Sequence, residues 1–184
     1  MGFSIFGRTE EGGIIMGRYY SGDIEGKFWF ACQSSNDADH FGVIGTPPDD
    51  RLNYHFSKGD MPSVQKGIDL CMESLKLFSP NLPSLLDAYY YHDGLPSNKE
   101  EWELMSTDPQ PQALKIPHSN GENITYRYDI LDDQSCRDFL RQHSIVLTDA
   151  EMSNTTQEYA RLILGRKIYL CLVNNGECFF EAEL

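Results

Sequence analysis

The chain has 184 residues, of which 40% are hydrophobic, 12% aromatic and 23% charged, and its formal net charge is −13 with a sequence pI near 4.6. That composition is globular rather than disordered, and the length suits one domain spanning residues 1–184. Residues 1–92 carry 7 basic and 12 acidic side chains and residues 93–184 carry 8 and 16, so the acidity is not a tail. A surface this negative disfavours direct binding to a nucleic-acid backbone or an anionic membrane, and is compatible with a basic protein partner, with divalent cations, or simply with solubility.

The opening segment MGFSIFGRTEEGG has no basic n-region followed by an apolar core, so it does not read as a signal peptide. Phe6 stands where a myristoylation motif needs Ser or Thr. No apolar run approaches the ~20 residues that a membrane span needs. The cysteines, Cys32, Cys71, Cys136, Cys171 and Cys178, include no CxxC and sit in apolar or periodic runs. They read as free thiols in a reducing compartment, and the expected location is intracellular and cytoplasmic.

In chain order, residues 14–33 predict a β-hairpin. Two β-branched and aromatic runs flank the turn-rich Ser21-Gly22-Asp23-Ile24-Glu25-Gly26. Residues 34–60 lack clear periodicity, although Leu52, Tyr54 and Phe56 alternate as a short strand would. A helix is predicted over 62–78, where Val64, Ile68, Cys71, Leu75 and Phe78 form one apolar stripe, and Pro62 suits its first turn. A second helix is predicted over 83–91, and a capping box at Ser97–Glu100 opens a short acidic one. A hairpin over 113–131 is expected around Asn120-Gly121. Helices follow at 133–143 and 155–164, the latter closed by Gly165, with a further capping box at Thr148 and Glu151. A last hairpin is expected over 167–183, turning at Asn174-Asn175-Gly176. On its second strand Glu177, Phe179, Glu181 and Glu183 share one face, and Cys178, Phe180 and Ala182 the other. Hairpins separated by helices predict an α+β fold with a largely antiparallel sheet.

The densest polar region is 21–40. Asp23, Glu25, Asp37, Asp39 and His40 together would suit a divalent cation, which could activate a bound water. The spacing fails as an EF-hand, because Phe41 and Pro48 stand where the loop needs ligands. Glu25-Gly26-Lys27 matches one half of a metal-dependent nuclease motif and lacks the other half. No GxSxG, Walker A, GxGxxG or HExxH occurs. Cys136 and His143 lie two turns apart on one predicted helix, and the overall acidity disfavours a thiolate there. The aromatic clusters around Trp29 and Tyr90 suit a core or an interface hot spot.

The stretch Arg18-Tyr19-Tyr20-Ser21-Gly22-Asp23-Ile24-Glu25-Gly26-Lys27-Phe28-Trp29-Phe30, continuing through QSSNDADHFG, resembles uncharacterised proteins of large DNA viruses and environmental sequences. The resemblance covers the first quarter of the chain, implies no activity, and singles out residues 18–42.

With no catalytic signature, the leading expectation is a non-enzymatic acidic module engaging a basic protein surface, with nucleic-acid mimicry as one version. Glu177, Glu181, Glu183, Trp29 and Tyr90 are its candidate contacts, and no cofactor is expected. The alternative is a small metal-dependent hydrolase or metal-binding protein with Asp23, Glu25, Asp37, Asp39 and His40 as ligands to a divalent metal.

Overall fold

A computed structural model gives the structure of residues 19–27, 32–47, 50–90 and 133–184, which are the described residues; within them the side chains of 26, 27, 88, 90, 133 and 135 are left aside. The chain runs β1 (Tyr19–Gly22), β2 (Gly26–Lys27), a 3-10 turn (Asp37–Phe41), β3 (Arg51–Ser57), a 3-10 turn (Lys58–Asp60), α1 (Met61–Lys76), α2 (Leu82–Tyr90), α3 (Asp133–Gln142), α4 (Asp149–Asn175) and β4 (Glu177–Glu183). The fold is α+β. The expected hairpin over 113–131 and the short acidic helix after Ser97 lie outside the described residues, as do residues 14–18 and 28–31 of the first hairpin.

The strands form one antiparallel sheet in the order β2-β1-β4-β3. β4 therefore lies between two partners. Its register against β3 runs from Arg51↔Glu183 to Ser57↔Glu177, and against β1 from Tyr20↔Ala182 to Gly22↔Phe180. One side chain in two points to the helices. Tyr20, Tyr54, Phe56, Cys178, Phe180 and Ala182 are buried there, with Phe180 stacked on Tyr54 at 5.1 Å and on Phe56 at 6.2 Å. The α1 stripe is as its spacing predicts for Val64, Ile68, Cys71 and Leu75, all buried, whereas the helix ends at Lys76 and Phe78 lies beyond it, partly buried against the core.

The chain departs from expectation after Leu164. Residues 167–173 are not a strand, and the hairpin over 167–183 does not form. Helix α4 begins at Asp149 and runs through Gly165 to Asn175. Two physical features decide this. Leu164, Ile168 and Leu172 are all buried and repeat every four residues, so one helical face continues through the β-branched and aromatic run. Asn175-Gly176 then serves as a helix stop instead of a hairpin turn. Gly176 takes φ 84° and its N–H donates to the Leu172 carbonyl at 3.0 Å. The helix predicted over 155–164 is thus the middle of a longer one. Its start is the Thr148–Glu151 capping box, in which Thr148 N and Oγ1 donate to Glu151 Oε2 at 2.8 and 2.7 Å.

Gly165 has a different task from ending a helix. Phe41 is fully buried between α1 and α4, and a Cβ at Gly165 would lie 2.6 Å from Phe41 Cζ, while one at Gly67 would lie 2.6 Å from Phe41 Cδ1. The two glycines make a notch that the ring fills. Gly165→Ala raises helix propensity by up to ~1 kcal/mol yet forces overpacking that costs about 1–3 kcal/mol. The expected net outcome is a lower denaturation midpoint in urea; a higher one would show that the notch is not tight.

The capping box gives a pH-dependent contribution. Hydrogen bonds from the Thr148 backbone N–H and then its hydroxyl hold the Glu151 carboxyl below its usual value. A depressed folded value means that the stabilisation is present above the unfolded value and lost as pH falls through the folded one. Wild type is therefore expected to exceed Glu151→Gln in Tm by a constant margin near neutrality. The margin should narrow as pH drops below about 4. Thermal melts of both proteins across that range check it.

Candidate functional site

The five residues expected to share a cation come from two segments: Asp23 and Glu25 from the turn between β1 and β2, and Asp37, Asp39 and His40 from the 3-10 turn. Asp37 and Asp39 belong to the 3-10 turn and face the core. Asp37 Oδ1 accepts from Arg161 Nη2 at 3.0 Å and its Oδ2 from the Ser34 N–H at 3.1 Å. Arg161, on α4, also donates to Glu158 at 2.6 Å. Asp39 Oδ1 accepts from the Tyr54 hydroxyl at 2.7 Å and from the Gly45 N–H at 3.0 Å. Burial, and then this hydrogen bond, push the Tyr54 phenol well above its ordinary value. These two carboxylates staple the loop after β2 to α4 and β3.

His40 lies on the other side of the same turn. Its Nε2 is 3.3 Å from the Gly67 carbonyl and 3.6 Å from Cys71 Sγ. A Cys–His pair invites a nucleophilic reading, but Cys71 is fully buried. Burial, and then the nearby Glu158, push its thiol up to about 12. It is a core thiol, not an activated one. Cys136 is likewise buried, and His143 packs on Phe139 at 4.9 Å.

Glu25 is exposed and, with Tyr20, Gln33, Ala160, Ile163, Leu164 and Lys167, lines a pocket of about 30 Å³. Desolvation lowers the Lys167 ammonium. The volume suits one or two waters and no substrate-sized molecule.

Asp23 follows β1. Gly22, at φ 123°, lies so close to β4 that a Cβ there would meet the Phe179 carbonyl oxygen at 2.6 Å. The backbone conformation and the close approach both need glycine. Asp23 is clamped to β4 by two bonds: its N–H donates to Phe179 O at 2.8 Å, and its Oδ2 accepts from the Phe179 N–H at 2.8 Å. The position was legible in the sequence, but its neighbours were not. Asp23 meets Cys171 on the last turn of α4 and Cys178 on β4, and the three ligand atoms all lie within 4.8 Å of one another. This is the one such group of three or more His, Cys, Asp or Glu residues among the described residues, so Asp23, Glu25, Asp37, Asp39 and His40 are not gathered into one. The signal for it was the Asn175-Gly176 pair. Read as a helix stop, it places Cys171 directly above Cys178.

The outward sheet face carries the other set of candidates. Tyr19, Ser21, Arg51, Asn53, His55, Ser57, Glu177, Phe179, Glu181 and Glu183 all sit on it, by register. Phe179 is 45% exposed and Tyr19 47%. Arg51 donates to Glu181 at 2.6 Å, and His55 lies 3.3 Å from Glu177. Glu183 Oε2 accepts from the Tyr19 N–H. Trp29 lies outside the described residues. Tyr90 is the last residue of α2, and its side chain is not among those described.

No protein-family model matches the chain, and no curated protein and no solved structure matches it. No helix among the described residues is long and apolar enough to cross a membrane.

The Asp37 staple has a measurable consequence. The Asp37 and Arg161 side chains are 2% and 18% exposed. Neutralising one member leaves the other buried without its partner, which costs about 3 kcal/mol at the lower end of the usual range because Glu158 still pairs with Arg161. Asp37→Asn is expected to lower stability by that amount in urea unfolding. Loss within experimental error would show that the turn does not depend on the pair.

Proposed function

We propose that the protein is an interaction module whose outward sheet face engages a basic, arginine-bearing protein surface. The observation that supports it best is the composition of that face. Exposed Phe179 and Tyr19 are set among Glu177, Glu181 and Glu183; Arg51 and His55 share the face, and Lys27 takes the register position opposite Tyr19. With His55 neutral, three glutamates against Arg51 and Lys27 leave this face one negative charge in excess, and each of its exposed ion contacts is worth little by itself.

The chemistry fits guanidinium better than ammonium. A planar guanidinium can stack on an exposed aromatic ring while donating in pairs to a carboxylate, which a compact lysine head cannot do. Carboxylates ringing an aromatic centre also follow the arrangement of interfaces in which a few aromatic anchors carry the affinity and the charged rim sets partner choice. The overall charge of −13 adds long-range attraction for such a partner and repels a phosphate backbone. No step of bond making or breaking belongs to this reading.

A nona-arginine peptide and the full chain test it. Affinity is expected to fall about tenfold or more as salt is raised until the Debye length shortens from ~30 Å to ~8 Å. Phe179→Ala and the pair Glu177→Gln/Glu181→Gln should each weaken binding by about 1 kcal/mol or more. Glu73→Gln, which changes an exposed carboxylate on α1, should leave it unaltered. Equal losses from the Glu73 control and the sheet-face variants would reduce the effect to net charge and overturn the assignment of the face.

A further inference from the structure

We propose that Asp23, Cys171 and Cys178 form a binding site for one soft divalent cation of the zinc class, with the fourth coordination position open to solvent. The site is independent of the sheet-face reading and uses two residues that no catalytic or interaction argument has absorbed.

The donor set selects the ion. Two sulfurs and one carboxylate suit zinc, cadmium or cobalt, which take thiolate and carboxylate ligands in tetrahedral geometry. Calcium and magnesium need oxygen ligands in larger number, and the cluster offers one carboxylate. Tetrahedral zinc with ~2.3 Å bonds to sulfur and ~2.0–2.2 Å bonds to oxygen sets its ligand atoms roughly 3.5–3.8 Å apart. The observed mutual separations, all within 4.8 Å, need at most a side-chain adjustment of about an ångström.

The scaffold holds the three groups from separate elements. Cys171 is carried by α4 and Cys178 by β4, and the left-handed Gly176 cap folds one against the other. Cys171 Sγ lies 3.3 Å from the Glu177 carbonyl and 3.5 Å from Asn175 Nδ2. Asp23 is brought in by the Gly22 approach, and the Phe179 N–H orients its carboxylate through Oδ2. That is the role a backbone donor takes behind a metal-ligating carboxylate. Among the described residues Asp23 has no ion-pair partner, so its carboxylate stands beside two thiols with no described cation opposite it. Asp23 is exposed, Cys171 half-buried and Cys178 buried, which gives an ion a path from solvent to an inner ligand. On binding, two S–H bonds break, two metal–sulfur bonds form, and two protons leave to solvent.

The test uses the full chain, reduced with a phosphine and freed of metal by chelation. Cadmium titration is expected to saturate at one ion per chain with a thiolate-to-cadmium charge-transfer band, and cobalt to give the visible bands of a tetrahedral complex. Zinc should displace both and raise Tm. Cys171→Ser and Cys178→Ser should each abolish most of the band, and Asp23→Asn should weaken binding by about tenfold or more. Cys32→Ser should leave it intact. If Cys178→Ser fails to fold, Cys171→Ser and Asp23→Asn decide the matter, because both change positions less buried than Cys178. Absence of the band at millimolar cadmium overturns the site. So does a band that survives Cys171→Ser, which would assign it to other thiols. If the reduced chain binds no metal and mild oxidation joins Cys171 to Cys178, the pair is a redox couple and the metal assignment fails.

Discussion

The structure depends on a ring in a notch. Phe41 enters between two helices at the points where each carries a glycine, Gly67 on α1 and Gly165 on α4. Without side chains at those points the helices and the ring reach van der Waals contact in one place. The 3-10 turn that delivers Phe41 also delivers Asp37 to Arg161 and Asp39 to Tyr54, so one short segment ties α1, α4 and β3 together. A deeper pair performs a similar task for α2: Arg166 and Tyr159 on α4 donate to Asp87 at 2.7 and 2.9 Å in a site closed to solvent. Buried ions of this kind fix which surfaces meet more than they add stability.

This explains why the acidic stretch 21–40 misleads when read by composition alone. Asp37 is polar in sequence and buried in space, Asp39 beside it is half-buried, and the arginine that makes Asp37 tolerable lies 124 residues away. A local reading sees carboxylates and assigns them to solvent or a cation. What decides their role is the partner that the fold itself supplies, Arg161 for Asp37 and the Tyr54 hydroxyl with the Gly45 N–H for Asp39. Asp23 is the converse case, since the described protein offers it thiols and no cation.

Local patterns were legible wherever one element settled its own fate. The α1 stripe, the Thr148–Glu151 cap and the alternation of Cys178, Phe180 and Ala182 are each set by a period or a short-range hydrogen bond, and each is found. Residues 167–173 were not legible, because Ile168, Tyr169 and Val173 favour a strand locally while Leu164, Ile168 and Leu172 complete a helical face that only packing against α1 rewards. Asn175-Gly176 could not arbitrate, as the same dipeptide suits a tight turn and a left-handed cap. The candidate metal ligands followed from that one ambiguity, since Cys171 and Cys178 meet only when the helix runs to its end.

The place of β4 in the sheet has a kinetic corollary. It is the last strand in chain order yet lies between β1 and β3, and pairs such as His55 with Glu177 span 122 residues. A ribosome therefore releases two strands whose shared partner has not been made, and both wait with unmatched backbone edges while the intervening helices emerge. Such long-range closure slows folding and leaves the nascent chain open to pairing with a neighbour. Assembly of the sheet thus waits until β4 has been made, and α4 acts as the lever that swings the missing strand into its gap.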